Sequence, residues 1–151
     1  MDDLAAVFID LMSFLSSPQR DDVLLREAGV DIDRALFPLL VRLAHSGPSS
    51  VAGLAEQVGR DHTTVSRQLS KLESLHLISR QDGADRRVRT ASLTAAGDQI
   101  VRAISAARQR LLSQALADWS GTDRARLVAL NRRFVDALSG ASRDRAPRRP
   151  G

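Results

Sequence analysis

Apolar side chains near the start of the chain recur at the three- and four-residue steps that line one face of an α-helix. These side chains are Leu4, Val7, Phe8, Leu11, Met12 and Leu15. Asp2 or Asp3 can cap the start of this predicted helix with a side-chain oxygen. The sequence Ser16-Ser17-Pro18 ends the pattern, and the polar run from there to Glu27 predicts a loop.

A second helical pattern begins at about Asp33, which is its expected cap. The pattern rests on four leucines, Leu36, Leu39, Leu40 and Leu43. Pro38 lies inside it and has no backbone N–H to donate, so we expect a kink or a late helix start at that position.

The next segment predicts two helices joined by a short turn. Residues 47–50 read Gly-Pro-Ser-Ser and interrupt the chain before a short helix over residues 51–58, which Ser49 or Ser50 can cap. Residues 59–61, Gly-Arg-Asp, form the turn, and the second helix runs over about 62–75. Ala52, Gly53 and Ala55 are small enough to let the two helices cross closely, as a helix-turn-helix requires.

The helix over residues 62–75 is the most informative element. Val65, Leu69 and Leu72 give it one apolar face. The opposite face holds hydrogen-bonding side chains of modest size: Thr63, Arg67, Ser70, Lys71 and Ser74, flanked by Thr64 and Ser66. Such a face fits the major groove, where arginine can bond guanine O6 and N7. An ordinary solvated helix face has the same pattern, so this helix alone leaves both interpretations open.

Residues 77–80 and 88–93 predict two strands, with turn-forming residues 81–85 between them. The resulting hairpin is basic at or beside its tip, through Arg80, Arg86, Arg87 and Arg89. Arginine suits the negative potential of a narrow minor groove. Because this basic hairpin directly follows a helix-turn-helix, the combination favours DNA recognition.

Two more helices complete the predicted fold. Thr94 caps a long one whose apolar positions are Ile100, Ile104, Leu111, Leu112, Leu116 and Trp119. Gly121 and Thr122 open a last one that carries Leu127, Leu130, Phe134 and Leu138. From Gly140 onward the chain is rich in Arg and Pro, which predicts a disordered tail.

Composition narrows the functional classes. A chain of 151 residues suits one compact domain. No apolar run approaches the roughly 18 residues of a membrane span, and acids stand where a signal peptide has basic residues, so we expect a cytoplasmic protein. The chain has no Cys, and His45, His62 and His76 are far apart, so we expect no metal site. No nucleophile or phosphate-loop motif occurs, so we expect neither catalysis nor a cofactor.

Charge is distributed unevenly along the chain. Residues 1–59 carry 4 basic and 9 acidic side chains, whereas residues 60–89 carry 7 basic and 4 acidic ones. Every basic side chain except Lys71 is Arg, which can bond phosphates and guanines in a bidentate way. Genome composition would also account for the Arg usage over the surface as a whole. The basic central segment suits a polyanionic partner.

Several short stretches together resemble the multiple-antibiotic-resistance regulator (MarR) family. They are Leu54-Ala55, Thr63-Thr64-Val65-Ser66-Arg67, Leu72-Glu73, Leu77, Asp85-Arg86-Arg87 and Leu93-Thr94-Ala95-Ala96-Gly97. The resemblance extends over almost the whole chain. One departure is His76, since the family commonly has Gly there to close the recognition helix, and a non-Gly residue at positive φ is uncommon.

The resemblance implies a homodimer held by its terminal helices, with helix 62–75 in the major groove and the hairpin, or wing, in the flanking minor groove. Arg87 would enter that groove, and Asp85 would orient the wing by pairing with an Arg, unless it is only a turn-forming residue. Small effectors, often aromatic or phenolic, bind such proteins between the dimerisation helices and the DNA-binding lobe. The residues that could line that region here are Met12, Phe14, Phe37, Arg42 and His45. Each of them also fits an ordinary core or surface position.

We therefore expect a mainly α fold with a small β-hairpin: one unit over residues 1–139, with a winged helix-turn-helix lobe at about 33–93. Dimerisation helices are expected at about 2–16 and 94–139, and the disordered tail at 140–151. The expected function is sequence-specific binding of double-stranded DNA by a homodimeric repressor that a small molecule can release. The predicted DNA contacts are His62, Thr63, Thr64, Ser66, Arg67, Gln68, Ser70 and Lys71 on the helix and Arg80, Asp85, Arg86, Arg87 and Arg89 on the wing. The alternative is a helical dimerisation module whose winged domain binds another protein.

Overall fold

A computed structural model describes residues 3–82 and 88–144, and side chains up to residue 140. The chain divides into two compact units, Met1–Arg110 and Leu111–Gly151. The predicted single unit over residues 1–139, with a winged lobe at about 33–93 and dimerisation helices on either side of it, stays a prediction. The first part of the long helix belongs to the first unit because Ile104 and Ala107 are buried there.

Helix α1 spans Leu4–Leu15, as predicted. The side chain of Asp3 caps it by accepting a hydrogen bond from the backbone N–H of Ala5 at 3.0 Å. No residue of α1 is buried in the single chain, and most of its apolar side chains are exposed.

Helix α2 spans Pro18–Ala28, so the prediction of a loop up to Glu27 is wrong. Pro18 lies in the first turn of the helix, where a missing N–H breaks no intrahelical bond, so the Ser-Ser-Pro signal also starts a helix. Leu24 and Leu25 are buried on one face, and this packing stabilises a segment whose other residues are mostly polar.

A 3-10 turn over Arg34–Leu36 precedes helix α3, which spans Phe37–Ser46. Asp33 caps the turn by accepting a hydrogen bond from the N–H of Ala35 at 2.9 Å. Pro38 falls in the first turn of α3, so the predicted late start is confirmed.

Helices α4 (Val51–Val58) and α5 (His62–Ser74) form the predicted helix-turn-helix. The Ser50 hydroxyl caps α4 by accepting from the N–H of Gly53 at 3.1 Å. Gly59 then adopts φ 66°, a left-handed conformation that ends α4 without steric cost.

The sheet has three antiparallel strands in the order β1-β3-β2, where the sequence predicted two. Strand β1 is Ser49–Ser50, β2 is Ile78–Asp82 and β3 is Arg89–Leu93. β1 was missed because two residues are too few to show an alternating pattern. β2 also extends two residues beyond the predicted end at Arg80, since Gln81 pairs with Thr90 and Asp82 with Arg89.

The core of the first unit lies between α3, α4, α5 and the sheet. Its members are Leu36, Leu39, Leu40, Leu43, Leu54, Ala55, Val65, Leu69, Leu72, Leu77, Ile78 and Ala91. Val65, Leu69 and Leu72 are fully buried, so the opposite face of α5 is the one turned to solvent, as its periodicity predicted.

Helix α6 spans Ala95–Ala115 and helix α7 spans Gly121–Asp144. Thus α7 runs past Gly140, where the disordered tail was predicted to begin, because Ala and Ser after Gly140 do not break a helix. The rest of the predicted tail, 145–151, lies outside the described residues. In the second unit the side chain of Trp119 is 45% exposed, beside other exposed apolar residues such as Val128 and Leu130.

Candidate nucleic-acid interface

The start of the candidate recognition helix, α5, is fixed by Asp61. Its carboxylate accepts hydrogen bonds from the backbone N–H of Thr64 at 2.8 Å and from the Thr64 hydroxyl at 2.6 Å. These bonds, the side-chain one first, hold the pKa of Asp61 below its ordinary value. The negative charge at this position also complements the positive end of the helix dipole.

Two predicted contact residues on the outward face of α5 are unengaged. Thr63 and Arg67 are exposed, and neither forms a hydrogen bond or ion pair with any residue that the structure describes. His62, the first residue of the helix, is likewise exposed. These side chains can therefore meet a partner without first breaking an internal contact.

Three other predicted contact residues already have partners. The hydroxyl of Thr64 is used in the Asp61 cap. The side-chain oxygen of Gln68 accepts a hydrogen bond from Arg60 at 2.8 Å, and the same guanidinium nitrogen donates to the carbonyl oxygen of Ala35 at 2.7 Å. The ammonium group of Lys71 lies 3.6 Å from Asp33. These contacts attach α5 to the segment that precedes α3.

The wing side of α5 is attached through Arg80. One of its terminal nitrogens donates to the backbone oxygen of Ser66 at 3.1 Å and to the hydroxyl of Ser70 at 3.3 Å. The Ser70 hydroxyl in turn donates to the Ser66 oxygen at 3.0 Å. Nε of Arg80 lies 3.6 Å from a carboxylate oxygen of Glu73. Arg80, predicted as a DNA contact, thus faces α5.

The remaining predicted wing contacts divide into two groups. Arg89 is exposed at the start of β3 and lies 3.4 Å from Asp82, its cross-strand neighbour. Asp85, Arg86 and Arg87 lie outside the described residues. The predictions made for these three therefore stay predictions.

An open groove of about 400 Å³ lies between the start of α4, the first turns of α5 and the base of the wing. Its lining is Ser50, Val51, Ala52, His62, Ser66, Arg80, Val88 and Arg89. The groove brings residues from both predicted sets, helix and wing, to one surface. A basic rim of this kind suits a phosphate backbone.

The end of α5 is joined to the start of α6 at His76, which has φ 59°. The positive φ expected from the missing Gly is therefore present on a histidine. The Thr94 hydroxyl donates to the His76 carbonyl oxygen at 2.7 Å and accepts from the Gly97 N–H at 3.1 Å. A Cβ atom on Gly97 would collide with the carbonyl of Leu77, so this helix start packs directly on the chain after α5.

The five residues named for an effector region have different environments. Phe37 is buried, whereas Met12, Phe14, Arg42 and His45 are exposed in the single chain. The ring of Phe14 is covered by the guanidinium of Arg20, 4.3 Å from the ring centre.

Within the described residues, no group of three or more His, Cys, Asp or Glu side chains is arranged to hold a metal ion. No helix in that part of the chain is long and apolar enough to cross a membrane.

Sequence reasoning missed the residues that hold α5 in place. Arg60, Asp33 and Glu73 contact predicted DNA-binding residues. Their partners are 7 to 38 positions away along the chain, so helical periodicity gives no sign of these contacts. Only the capping role of Asp33 left a signal in the sequence.

Comparison with known proteins places this geometry among transcriptional regulators. A family model described as HVO_A0114 matches residues 35–92, the helix-turn-helix and wing. The chain is 33% identical over 111 residues to YxaD of Bacillus subtilis, an uncharacterised HTH-type transcriptional regulator, covering 70% of this chain and 78% of YxaD. That class is not enzymatic.

Solved structures agree in fold. The chain is similar to a MarR family protein from Bacillus stearothermophilus, with a TM-score of 0.76 and 20% identity over 89% of this chain and 95% of that one. It is also similar to a MarR-like transcriptional regulator from Thermotoga maritima, with a TM-score of 0.64 and 26% identity over 92% of this chain and 99% of that one.

Proposed function

The chain belongs to the MarR family of winged helix-turn-helix transcriptional regulators, and from that premise we propose that it represses transcription as a homodimer on a pseudo-palindromic operator. α5 enters the major groove and the wing reaches the flanking minor groove. Two copies related by a two-fold axis present two α5 helices to half-sites about one helical turn apart.

The observation that carries this proposal is that some polar side chains of α5 are free of internal hydrogen bonds within the described residues while others are held by the rest of the chain. Thr63 and Arg67 are exposed and unengaged, whereas Thr64, Gln68 and Lys71 are held by other parts of the chain. A rigidly held helix that leaves a free arginine at its centre suits base readout, because that arginine can bond guanine with both terminal nitrogens. A protein-binding face would instead carry aromatic or aliphatic anchors.

Support for the homodimer comes from exposed apolar side chains in both units. On α1, Leu4 is 63% and Ile9 is 65% exposed, and in the second unit Val128 is 70% exposed. Apolar patches of this kind on a single chain are typical of a protein interface.

Sedimentation at micromolar concentration tests the assignment. Wild type should sediment as a dimer, and a double variant with Ile9→Glu and Val128→Glu should sediment as a monomer. A monomeric wild type would contradict it.

The test of DNA readout is selection of bound duplexes from a random pool at fixed salt, without effector. Wild type should enrich a palindrome. Arg67→Ala should relax one base position in each half-site, at a cost of about 1–3 kcal/mol, and Arg87→Ala should weaken a flanking A·T preference. Arg102→Ala, which removes an exposed arginine from α6, is the charge-matched control and should leave the selected sequence unchanged.

Failure of wild type to enrich any sequence would favour the alternative, a winged domain that binds another protein.

Relief of repression by a small aromatic or phenolic molecule is part of the proposal. A titration of such molecules against the selected duplex tests it, since an effector must bind the DNA-free form more tightly than the DNA-bound form. Equal binding to both forms would exclude the molecule as an effector.

A further inference from the structure

Arg80 occupies an unusual place for an arginine beside a DNA-binding surface. Its side chain is only 11% exposed, although it belongs to a strand of the wing. It reaches 14 positions back along the chain to the carbonyl oxygen of Ser66 in the middle of α5. A buried guanidinium costs free energy unless it is paired, so the contacts that Arg80 makes are what hold it there.

Those contacts form a clamp between β2 and α5, which we define as Arg80 with Ser66, Ser70 and Glu73. One terminal nitrogen of Arg80 donates to the Ser66 oxygen and the Ser70 hydroxyl. The buried Nε forms no hydrogen bond with the described residues and lies at ion-pair distance, 3.6 Å, from the Glu73 carboxylate. The Ser70 hydroxyl also donates a hydrogen bond of its own to the Ser66 backbone oxygen. The clamp therefore grips α5 from its second turn to its last turn.

We propose that Arg80 is a positioning residue that sets the angle between the wing and α5. It thereby fixes the spacing between the bases read by α5 and the flanking bases reached by the wing. Beyond Arg80, β2 continues through Gln81 and Asp82, which pair with β3, so a rotation at the clamp changes the direction of both strands relative to α5. The proposal rests on the proposed function, since it assumes that both elements contact one duplex.

The test is duplex selection by wild type, Arg80→Lys and Arg80→Gln, with Arg102→Gln as control. Lysine keeps the charge but has no planar fork with which to bond α5 at several points. Arg102 is an exposed arginine of α6 that pairs with Asp98 and is not among the predicted DNA contacts. Thermal unfolding of each variant, run alongside, identifies the temperature range in which all are folded.

In both Arg80 variants the core base preference should be retained, while the flanking A·T preference spreads or shifts by about one base pair, a step of ~3.4 Å along the duplex. Affinity for the wild-type operator should fall about tenfold, as expected when one charged hydrogen-bond network is lost. The slope of affinity against salt should stay unchanged. Arg102→Gln should leave the flanking distance as in wild type.

Two results would overturn the proposal while leaving the proposed function intact. One is a flanking preference at the wild-type distance in both Arg80 variants. The other is a salt slope reduced by about one in Arg80→Gln with no change in spacing, because that identifies Arg80 as a direct phosphate contact. A wild type that enriches no sequence would overturn both proposals.

Discussion

The hydroxyl of Thr94 donates a hydrogen bond to the backbone carbonyl oxygen of His76 at 2.7 Å and so ties the first residue before α6 to the end of α5. The Thr94 hydroxyl oxygen also accepts a hydrogen bond from the N–H of Gly97 and so caps α6. One side chain thus joins the end of α5 to the start of α6.

Removal of this hydroxyl should destabilise the chain. Thr94→Val keeps the shape of the side chain but leaves the Gly97 N–H and the His76 carbonyl without their partner, so we expect a loss of about 1–2 kcal/mol in the free energy of unfolding. Thr94→Ser keeps both bonds and should lose less than half as much. Urea denaturation followed by circular dichroism measures both, and equal losses would contradict the assigned hydrogen bonds.

Gly97 should not tolerate a methyl group. A Cβ atom there would overlap the carbonyl of Leu77, a backbone group that cannot rotate away, so Gly97→Ala should cost about 1–3 kcal/mol. Gly140→Ala is the matched control, since nothing lies within 4 Å of its added Cβ. There the gain in helix propensity should leave stability unchanged or raise it by up to about 1 kcal/mol. The thermal midpoint should therefore fall for Gly97→Ala and stay level or rise for Gly140→Ala, and an equal fall in both would contradict the close packing of Gly97.

His76→Gly should stabilise the chain by about 0.5–1 kcal/mol. Histidine at φ 59° pays a steric cost that glycine does not, and this gain exceeds the extra entropy that glycine has when unfolded. Leu75→Gly, one position earlier at φ −84°, gains nothing from glycine and should be destabilised. If denaturant midpoints fall for both variants, the His76 side chain contributes stabilising contacts that outweigh the backbone cost.

Stability should fall in acid partly because of Asp61. Hydrogen bonds from Thr64 lower its pKa in the folded chain, so its carboxylate stabilises the fold at pH values above the ordinary aspartate pKa of about 3.9. That contribution is lost as the pH falls through the lowered pKa. Asp61→Asn still caps α5 but does not titrate, so its thermal midpoint should decline less steeply below about pH 4 than that of wild type. Parallel pH profiles would show that Asp61 does not contribute.

Elements whose caps and periodicity agree were predictable from sequence. α4 and α5 follow from Ser50, Asp61 and the leucines at helical spacing, because local hydrogen bonds and one buried face suffice to define them. α2 was missed because Pro18 signals both the end of one helix and the start of the next. Only the burial of Leu24 and Leu25, a tertiary effect, decides between the two.

The candidate site was predicted in composition but not in arrangement. Periodicity correctly predicted that Arg67 is exposed to solvent, since that follows from the buried face of α5 alone. It could not show that Gln68 is held by Arg60 or that Arg80 folds back onto Ser66, because those bonds join different elements. Which polar residues are free to read a base depends on tertiary contacts that a helical pattern does not encode.

Trp119 is the only tryptophan of the chain, which has no tyrosine, and it lies half-exposed in the second unit. Nearly all intrinsic emission therefore comes from one indole, which lines a surface pocket together with the exposed Leu130. A blue shift of that emission on raising the protein concentration would report burial by a partner. Titrating the protein with DNA at constant protein concentration would then report, without any attached dye, whether DNA binding changes the surroundings of Trp119.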